Sequence, residues 1–278
     1  MLYCSEVWGI FHSSKRAKRY NNDYGLEDYF LKHSLEIEHR KFIRFCLGVS
    51  KHSFNMALYG ETGTYPLYVH IFKAAINFFY HVLESPVDSL LYQAFLHNTQ
   101  QSNESDDTYN WSFQMRSLLK YYGFEHVWFN KDPTNKAGVV RAFINKVKDK
   151  FRNLWKKTFH DQKNSNKKMY RYIDYKGAFG IANYVQKIQN FHIRKAITRI
   201  RICDLKLEIE TLRYVKPKPE RDKRICRNCD ANTCEDEEHF LLSCTKFNVL
   251  RQEILQDASN MGYDDLLQSE SLTVLTRF

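Results

Sequence analysis

No apolar run in this 278-residue chain reaches the roughly 20 residues that a membrane-spanning helix needs. Met1–Cys4 lacks the build of a secretory signal. The sequence therefore points away from a membrane partner. It also lacks a glycine-rich phosphate loop, a Ser/His/Asp array and a dinucleotide fingerprint. Gly60-Glu61-Thr62-Gly63 is not followed by the Lys-Ser/Thr of a phosphate-binding loop and reads as a turn. Glycine (10) and proline (5) are scarce, and apolar residues recur at three- and four-residue steps. That predicts a mainly α fold, a helical bundle-like array. A hydrophobic content of 43% with 15% aromatics excludes a wholly disordered chain.

What is present is concentrated near the C-terminus. Cys226-Arg227-Asn228-Cys229, His239 and Cys244 follow the spacing C-x2-C-x9-H-x4-C, three thiols and an imidazole within nineteen residues. Zn²⁺ takes tetrahedral sets of this kind, and the spacing predicts a small C-terminal CCHC zinc-binding domain. With four protein ligands no position remains for an activated water, so the metal is expected to be structural. Cys234 is left as a competing ligand or a free thiol in the loop. The seven cysteines are an odd count. With Cys4, Cys46 and Cys203 in apolar or amphipathic surroundings, they suggest a reducing compartment and an intracellular protein, nuclear or cytoplasmic.

Charge is equally uneven. The net is +10, yet residues 141–227 hold 25 Lys and Arg against 8 Asp and Glu. Basic charge gathered into a third of a chain is the footprint of a polyanion binder. Lys146, Lys150, Lys156 and Lys157 fall on the outer face of an amphipathic helix, Val139–Phe159, whose Phe143, Val147, Phe151, Leu154 and Trp155 point inward. Lys163, Lys167, Lys168 and Arg171 extend the basic surface. Arg194, Lys195, Arg199 and Arg201 are expected outside on Ile193–Ile202, with Ile193, Ala196, Ile197 and Ile200 inside. Arg221, Lys223, Arg224 and Arg227 sit on or beside the metal loop, in reach of phosphates. Tyr170, Tyr172 and Tyr175, interleaved with cations, could stack on bases or be core.

The chain divides, on this reading, into a helical region at 1–97, a polar linker at 98–108, a basic helical region at 109–214, a Pro/Lys linker at 215–224, and the zinc-binding domain with a closing helix at 225–278. Leu35, Ile37, Phe42, Ile43 and Phe45 make one amphipathic stretch ending at Gly48. Pro66 opens a second, with Leu67, Ile71, Ala74, Ala75, Phe78, Phe79 and Val82. Gly123 stops a helix over 112–122. Phe247, Leu250, Ile254 and Leu255 pattern the closing helix.

Several segments, in order, are familiar. Leu2-Tyr3-Cys4-Ser5-Glu6-Val7-Trp8-Gly9 resembles the LYGSEVWG segment found downstream of the polymerase core in LINE-type non-LTR retrotransposon proteins. Phe45–Lys51 follows, and Tyr59–Leu67 is similar to that family's YGELGRFPL signature. Arg199-Ile200-Arg201-Ile202, Ile209-Glu210-Thr211, Arg213-Tyr214 and Glu235–Phe240 complete the series. The resemblance implies the C-terminal region of an endonuclease–reverse transcriptase, a helical thumb and connector capped by a zinc-binding domain that contacts template RNA and target DNA. Cys4, Thr62, Thr64, Leu205 and Leu212 replace the family's glycine, leucine, arginine, histidine and glycine, which suggests a truncated or decaying element.

The function expected from the sequence is thus RNA or DNA binding by a retrotransposon remnant, not an enzyme on its own, with Zn²⁺ as structural cofactor and the remaining retrotransposon polypeptide as a possible partner. Tyr263-Asp264-Asp265 has the wrong spacing and order for a polymerase box and reads as solvated charge. A zinc-knuckle protein-interaction module is the alternative. A metal-dependent nuclease using Glu235–Glu238 is a more remote one, since His239 is better spent on the structural ion.

Overall fold

A computed structural model describes residues 4–10, 25–104, 110–165 and 168–260. Among these the fold is mainly α, without strands; only two isolated bridges occur, Thr62 with Ile181 and Ile225 with Cys234. No described helix is long and apolar enough to cross a membrane. The chain forms two compact units, residues 1–40 with 65–155, and 41–64 with 156–278. Their boundaries do not fall in the stretches 98–108 or 215–224.

The first unit is organised by the helix Leu67–Glu84, which buries Tyr68, Ile71, Phe72, Ala75, Ile76, Phe79 and Val82. These recur at three- and four-residue intervals, so one face is continuously apolar. Phe72 meets Phe30 edge-on at 5.0 Å, and Phe79 stacks on Trp128 at 5.5 Å. Buried carboxylates hold the surrounding elements. Glu36 accepts the Leu67 amide at 2.7 Å, satisfying an amide at the start of this helix. Glu27, fully buried, accepts the hydroxyls of Tyr121 and Tyr122 at 2.7 Å each.

In the second unit the helix Asn55–Thr62 is buried from Met56 to Glu61. Phe159 packs on Tyr172 at 4.4 Å and Phe54 at 5.6 Å. Glu61, with no exposed surface, receives Arg201 Nε at 2.9 Å and the Tyr172 hydroxyl at 2.8 Å. Asp204 accepts the Ser50 amide at 2.7 Å and also its hydroxyl. These bonds join chain segments more than a hundred residues apart.

Two helices face differently from their apolar periodicity. On Phe191–Arg201 the inward positions are Arg194, Ile197, Thr198 and Arg201, while Ile193 is 53% exposed and Ala196 is also outside. Arg201 turns in because Glu61 neutralises it, and Thr198 because it pairs with the Tyr184 hydroxyl at 2.9 Å. On Ser34–Leu47 the inward residues are Glu36, Arg40, Ile43 and Leu47, leaving Phe42 and Phe45 exposed. Arg40 is held by the Leu31 carbonyl at 2.6 Å. A partnered charge thus outweighs an aromatic in setting the register.

The polar stretch at 98–108 is not a linker at its start, since the helix Leu90–Glu104 runs through it. The Asn110 side chain caps the next helix at the Ser112 and Phe113 amides, and it donates back to the Asn98 carbonyl at 2.8 Å. Gly48 and Gly123 do end their helices, at φ 67° and 80°. The 215–219 stretch carries no helix. In the closing helix Asn248–Asn260, Leu250 and Ile254 are exposed rather than core; Leu255's side chain, like Tyr263-Asp264-Asp265, lies outside the described residues.

Removing one partner of a buried pair strands the other charge, at a cost of about 3–5 kcal/mol. Glu61→Leu or Arg201→Met alone should lower unfolding stability by that amount in urea titration. The double variant should recover most of the loss. Single-variant losses under about 1 kcal/mol would show the pair to be dispensable.

Candidate metal centre

Arg221 to Arg251 makes a compact loop around four side chains. Cys226 donates its amide to the Thr233 carbonyl at 2.9 Å, and Glu235 its amide to the Arg224 carbonyl at 3.0 Å. This short antiparallel return turns Cys226 and Cys229 back toward the C-terminal half. There, His239–Ser243 forms a π-helical turn, closed by the Cys244 amide on the His239 carbonyl at 2.7 Å. The wider turn answers the x4 spacing: five residues of π-helix make little more than one turn, so His239 and Cys244 return to the same side. Regular α-helix would leave them about 140° apart. Arg251 caps the turn's end, donating to the Leu241 carbonyl at 2.8 Å and the Cys244 carbonyl at 3.0 Å.

The result is one cluster. One ligand atom each from Cys226, Cys229, His239 and Cys244 lies within 4.8 Å of every other, so these residues could bind a metal ion. Cys226 Sγ and Cys244 Sγ are 4.0 Å apart, and Cys229 Sγ and His239 Nε2 are 3.3 Å apart. Cys226, His239 and Cys244 are buried and Cys229 half-buried. Burial pushes the Cys226 thiol up to about 12. The Ala231 amide, by hydrogen bonding, holds the Cys229 thiol below its ordinary value. Cys234 stands outside the cluster, its thiol donating to the Arg221 carbonyl at 3.2 Å.

A supporting layer, not legible beforehand, orients the four. With Nε2 in the cluster, the other ring nitrogen of His239, Nδ1, lies 3.0 Å from Thr233 Oγ1 and 3.3 Å from Ser243 Oγ, which orient the ring. The Asn228 amide donates to Cys226 Sγ at 3.4 Å. Glu235 accepts the Asn228 side-chain amide at 2.7 Å and the Glu208 backbone amide at 2.8 Å. Short polar residues in a loop carry no sequence signal that separates this role from ordinary turn chemistry.

The acidic run is fully committed. Beyond Glu235, Asp236 accepts the His239 amide at 2.9 Å and lies 3.9 Å from Arg221. Glu237 is buried, and burial raises its carboxyl above the ordinary range. Glu238 pairs with Arg171. These carboxylates build the loop rather than converge on an open site.

The basic residues separate into two groups. Arg201 is buried on Glu61. Arg224, also buried, donates to the Ile209 carbonyl at 2.8 Å and the Pro219 carbonyl at 3.3 Å, tying the Pro/Lys stretch to the loop. Neither presents a charge to solvent, which corrects their reading as contacts. Lys168 pairs with Glu210 at 2.9 Å, Arg199 donates to the Asp204 carbonyl at 3.1 Å, and Arg194 to the Ile188 carbonyl at 2.9 Å. Lys195 is half-buried, and Lys150 lies 3.5 Å above the Tyr121 ring. Lys146, Lys156 and Lys157 are exposed. Lys223 and Arg227 are exposed beside the metal loop, in ion pairs with Glu220 and Glu208. Arg221 and Arg171 both lie against the Tyr170 ring, 5.1 and 5.0 Å from its centroid. Tyr172 is core; Lys167 and the Tyr175 side chain lie outside the described residues.

Comparison of the chain with known protein families, with curated proteins and with solved structures returned no match.

Metal analysis of purified variants should follow this geometry. Cys244→Ser should lose the bound metal, while Cys234→Ser should keep the wild-type stoichiometry. Thr233→Val should weaken metal affinity about tenfold or more by freeing the imidazole. Metal loss in Cys234→Ser with retention in Cys244→Ser would invert the assignment.

Proposed function

We propose that this chain is a zinc-stabilised nucleic-acid-binding module, related to the C-terminal thumb, connector and zinc-binding region of LINE-type retrotransposon reverse transcriptases. One observation carries the reading: three cysteines and a histidine converge on one point in a loop bearing exposed cations. Tetrahedral Zn²⁺, with bonds of about 2.3 Å to sulfur and 2.0–2.1 Å to nitrogen, sets its ligands roughly 3.8 Å apart for S–S and 3.5 Å for S–N. The separations of 4.0 and 3.3 Å lie close to these. Cys226, Cys229 and Cys244 through Sγ and His239 through Nε2 would hold the ion. It would supply the positive charge that buried thiolates need and cross-link a loop with little core of its own.

Phosphate contact then falls to the cations that burial does not consume. Lys223 and Arg227 flank Cys226; the Lys223–Glu220 pair is exposed and worth about 0–1 kcal/mol, whereas Arg227 pairs with Glu208, whose carboxylate is mostly buried. A phosphate can displace the Glu220 carboxylate from Lys223 at small cost. Lys156, Lys157, Lys195 and Arg221 add further positive charge in the same unit. Contacts of this kind give affinity and salt dependence without reading base sequence. The retrotransposon reading rests on the sequence resemblance, whose segments also contact one another. Glu61 of Tyr59–Leu67 binds Arg201 of Arg199–Ile202, and Ser50 of Phe45–Lys51 binds Asp204 just beyond.

If about six phosphates are neutralised, log K for RNA or DNA should fall against log salt with a slope of about −4 to −5. Lys223→Ala with Arg227→Ala should flatten it by about 1.5 at unchanged zinc content. A slope near zero for the zinc-loaded chain would remove the basic surface from the account.

A further inference from the structure

The first unit contains a groove of about 660 Å³ that the metal loop does not share. One wall is the helix Leu67–Glu84, presenting Lys73 and Asn77 one turn apart. The other is the helix Lys136–Asn164, presenting Arg141, Asn145 and Lys148, again on one face. Val140 and Ile144 supply an apolar floor, and among the described residues no carboxylate lines the groove. The volume lies in the range of small-ligand pockets.

Its charges are unbalanced. Lys136 at the rim pairs with Glu84 at 2.7 Å, and nearby Asp132 is occupied by the Thr134 amide and hydroxyl at 2.9 and 2.8 Å. Among the described residues Lys73, Arg141 and Lys148 have no carboxylate within ion-pair distance. Lys148 instead lies 5.1 Å from the Tyr65 ring, which holds its ammonium in place without neutralising it. His70, a turn from Lys73, is pushed below its ordinary value by loss of water first and then by His39, Lys148 and Lys73. Three cations facing one cleft repel one another and focus positive potential into it. An anion relieves that repulsion, and the asparagine side chains can donate to its remaining oxygens.

We propose that this groove is a binding site for two or three adjacent phosphate groups, held by Arg141 and Lys148 from one helix and Lys73 from the other. Positions 141 and 148 are about 10 Å apart along the helix, which a row of linked phosphates spans and a single phosphate does not. The apolar floor accepts an uncharged portion of the ligand. Both a free polyphosphate, as in a nucleoside triphosphate, and a short stretch of nucleic-acid backbone carry this chemistry.

Calorimetric titration of the full chain with inorganic tripolyphosphate, and separately with a four-nucleotide oligothymidylate, tests the site and distinguishes the two sources. Arg141→Ala with Lys148→Ala should raise Kd at least tenfold for whichever probe binds, leaving zinc content and helicity unchanged. An effect on tripolyphosphate identifies the free ligand, and an effect on the oligonucleotide alone identifies the strand. Lys73→Glu, on the facing helix, should reproduce the loss and serves if the double variant misfolds. Absence of binding by either probe, or equal affinity in wild type and variants, would overturn the proposal. Binding here should survive zinc chelation, so failure of the metal-loop reading and failure of this one are separable.

Discussion

Four ligand atoms confined within 4.8 Å of one another set the course of the chain from Arg224 to Arg251. Little else could. The closing helix exposes Leu250 and Ile254, Ile225 is 38% exposed, and the apolar packing in the loop amounts to contacts such as Phe240 on Phe247. A segment so poor in core depends on polar closure. The π-turn, the Arg251 caps and the Glu235 bonds all serve to bring Cys226, Cys229, His239 and Cys244 to one point. Buried thiols near an imidazole are a weak cohesive centre, whereas thiolates around a cation are a strong one. The loop therefore gathers four residues that could bind a metal ion.

The same logic of partnered charge runs through both units. Glu27, Glu36 and Glu61 are each buried and each satisfied by groups distant in sequence, respectively the Tyr121 and Tyr122 hydroxyls, the Leu67 amide, and Arg201 with Tyr172. Apolar packing supplies bulk attraction without direction. These carboxylates specify which turn of which helix lies against which neighbour. That division of labour also explains the basic residues. Arg201 and Arg224 are spent on architecture, while Lys156, Lys157, Lys223 and Arg227 remain at the surface.

How much of this was legible follows from what a sequence pattern can carry. The α class, the helix stops at Gly48 and Gly123 and the inward face of the 136–164 helix follow from glycine chemistry and 3.6-residue periodicity. The metal quartet follows from spacing between scarce residue types. Periodicity failed where a charge had a buried partner: Arg201 and Glu36 rotated the faces assigned to their helices, because a distant carboxylate or amide is invisible in a local window. The polar stretch from Asn98 read as a linker, since nothing local reveals that Asn110 fastens it. Thr233 and Ser243 could not be singled out, as their role exists only once His239 has a fixed ring orientation.

The central claim is that Cys226, Cys229, His239 and Cys244 hold one zinc ion. X-ray absorption at the zinc edge of the purified chain tests it most directly. The account predicts three sulfur neighbours at about 2.3 Å and one nitrogen at about 2.0–2.1 Å, with one zinc per chain. A shell dominated by oxygen, or a folded chain that takes up no zinc, would contradict it.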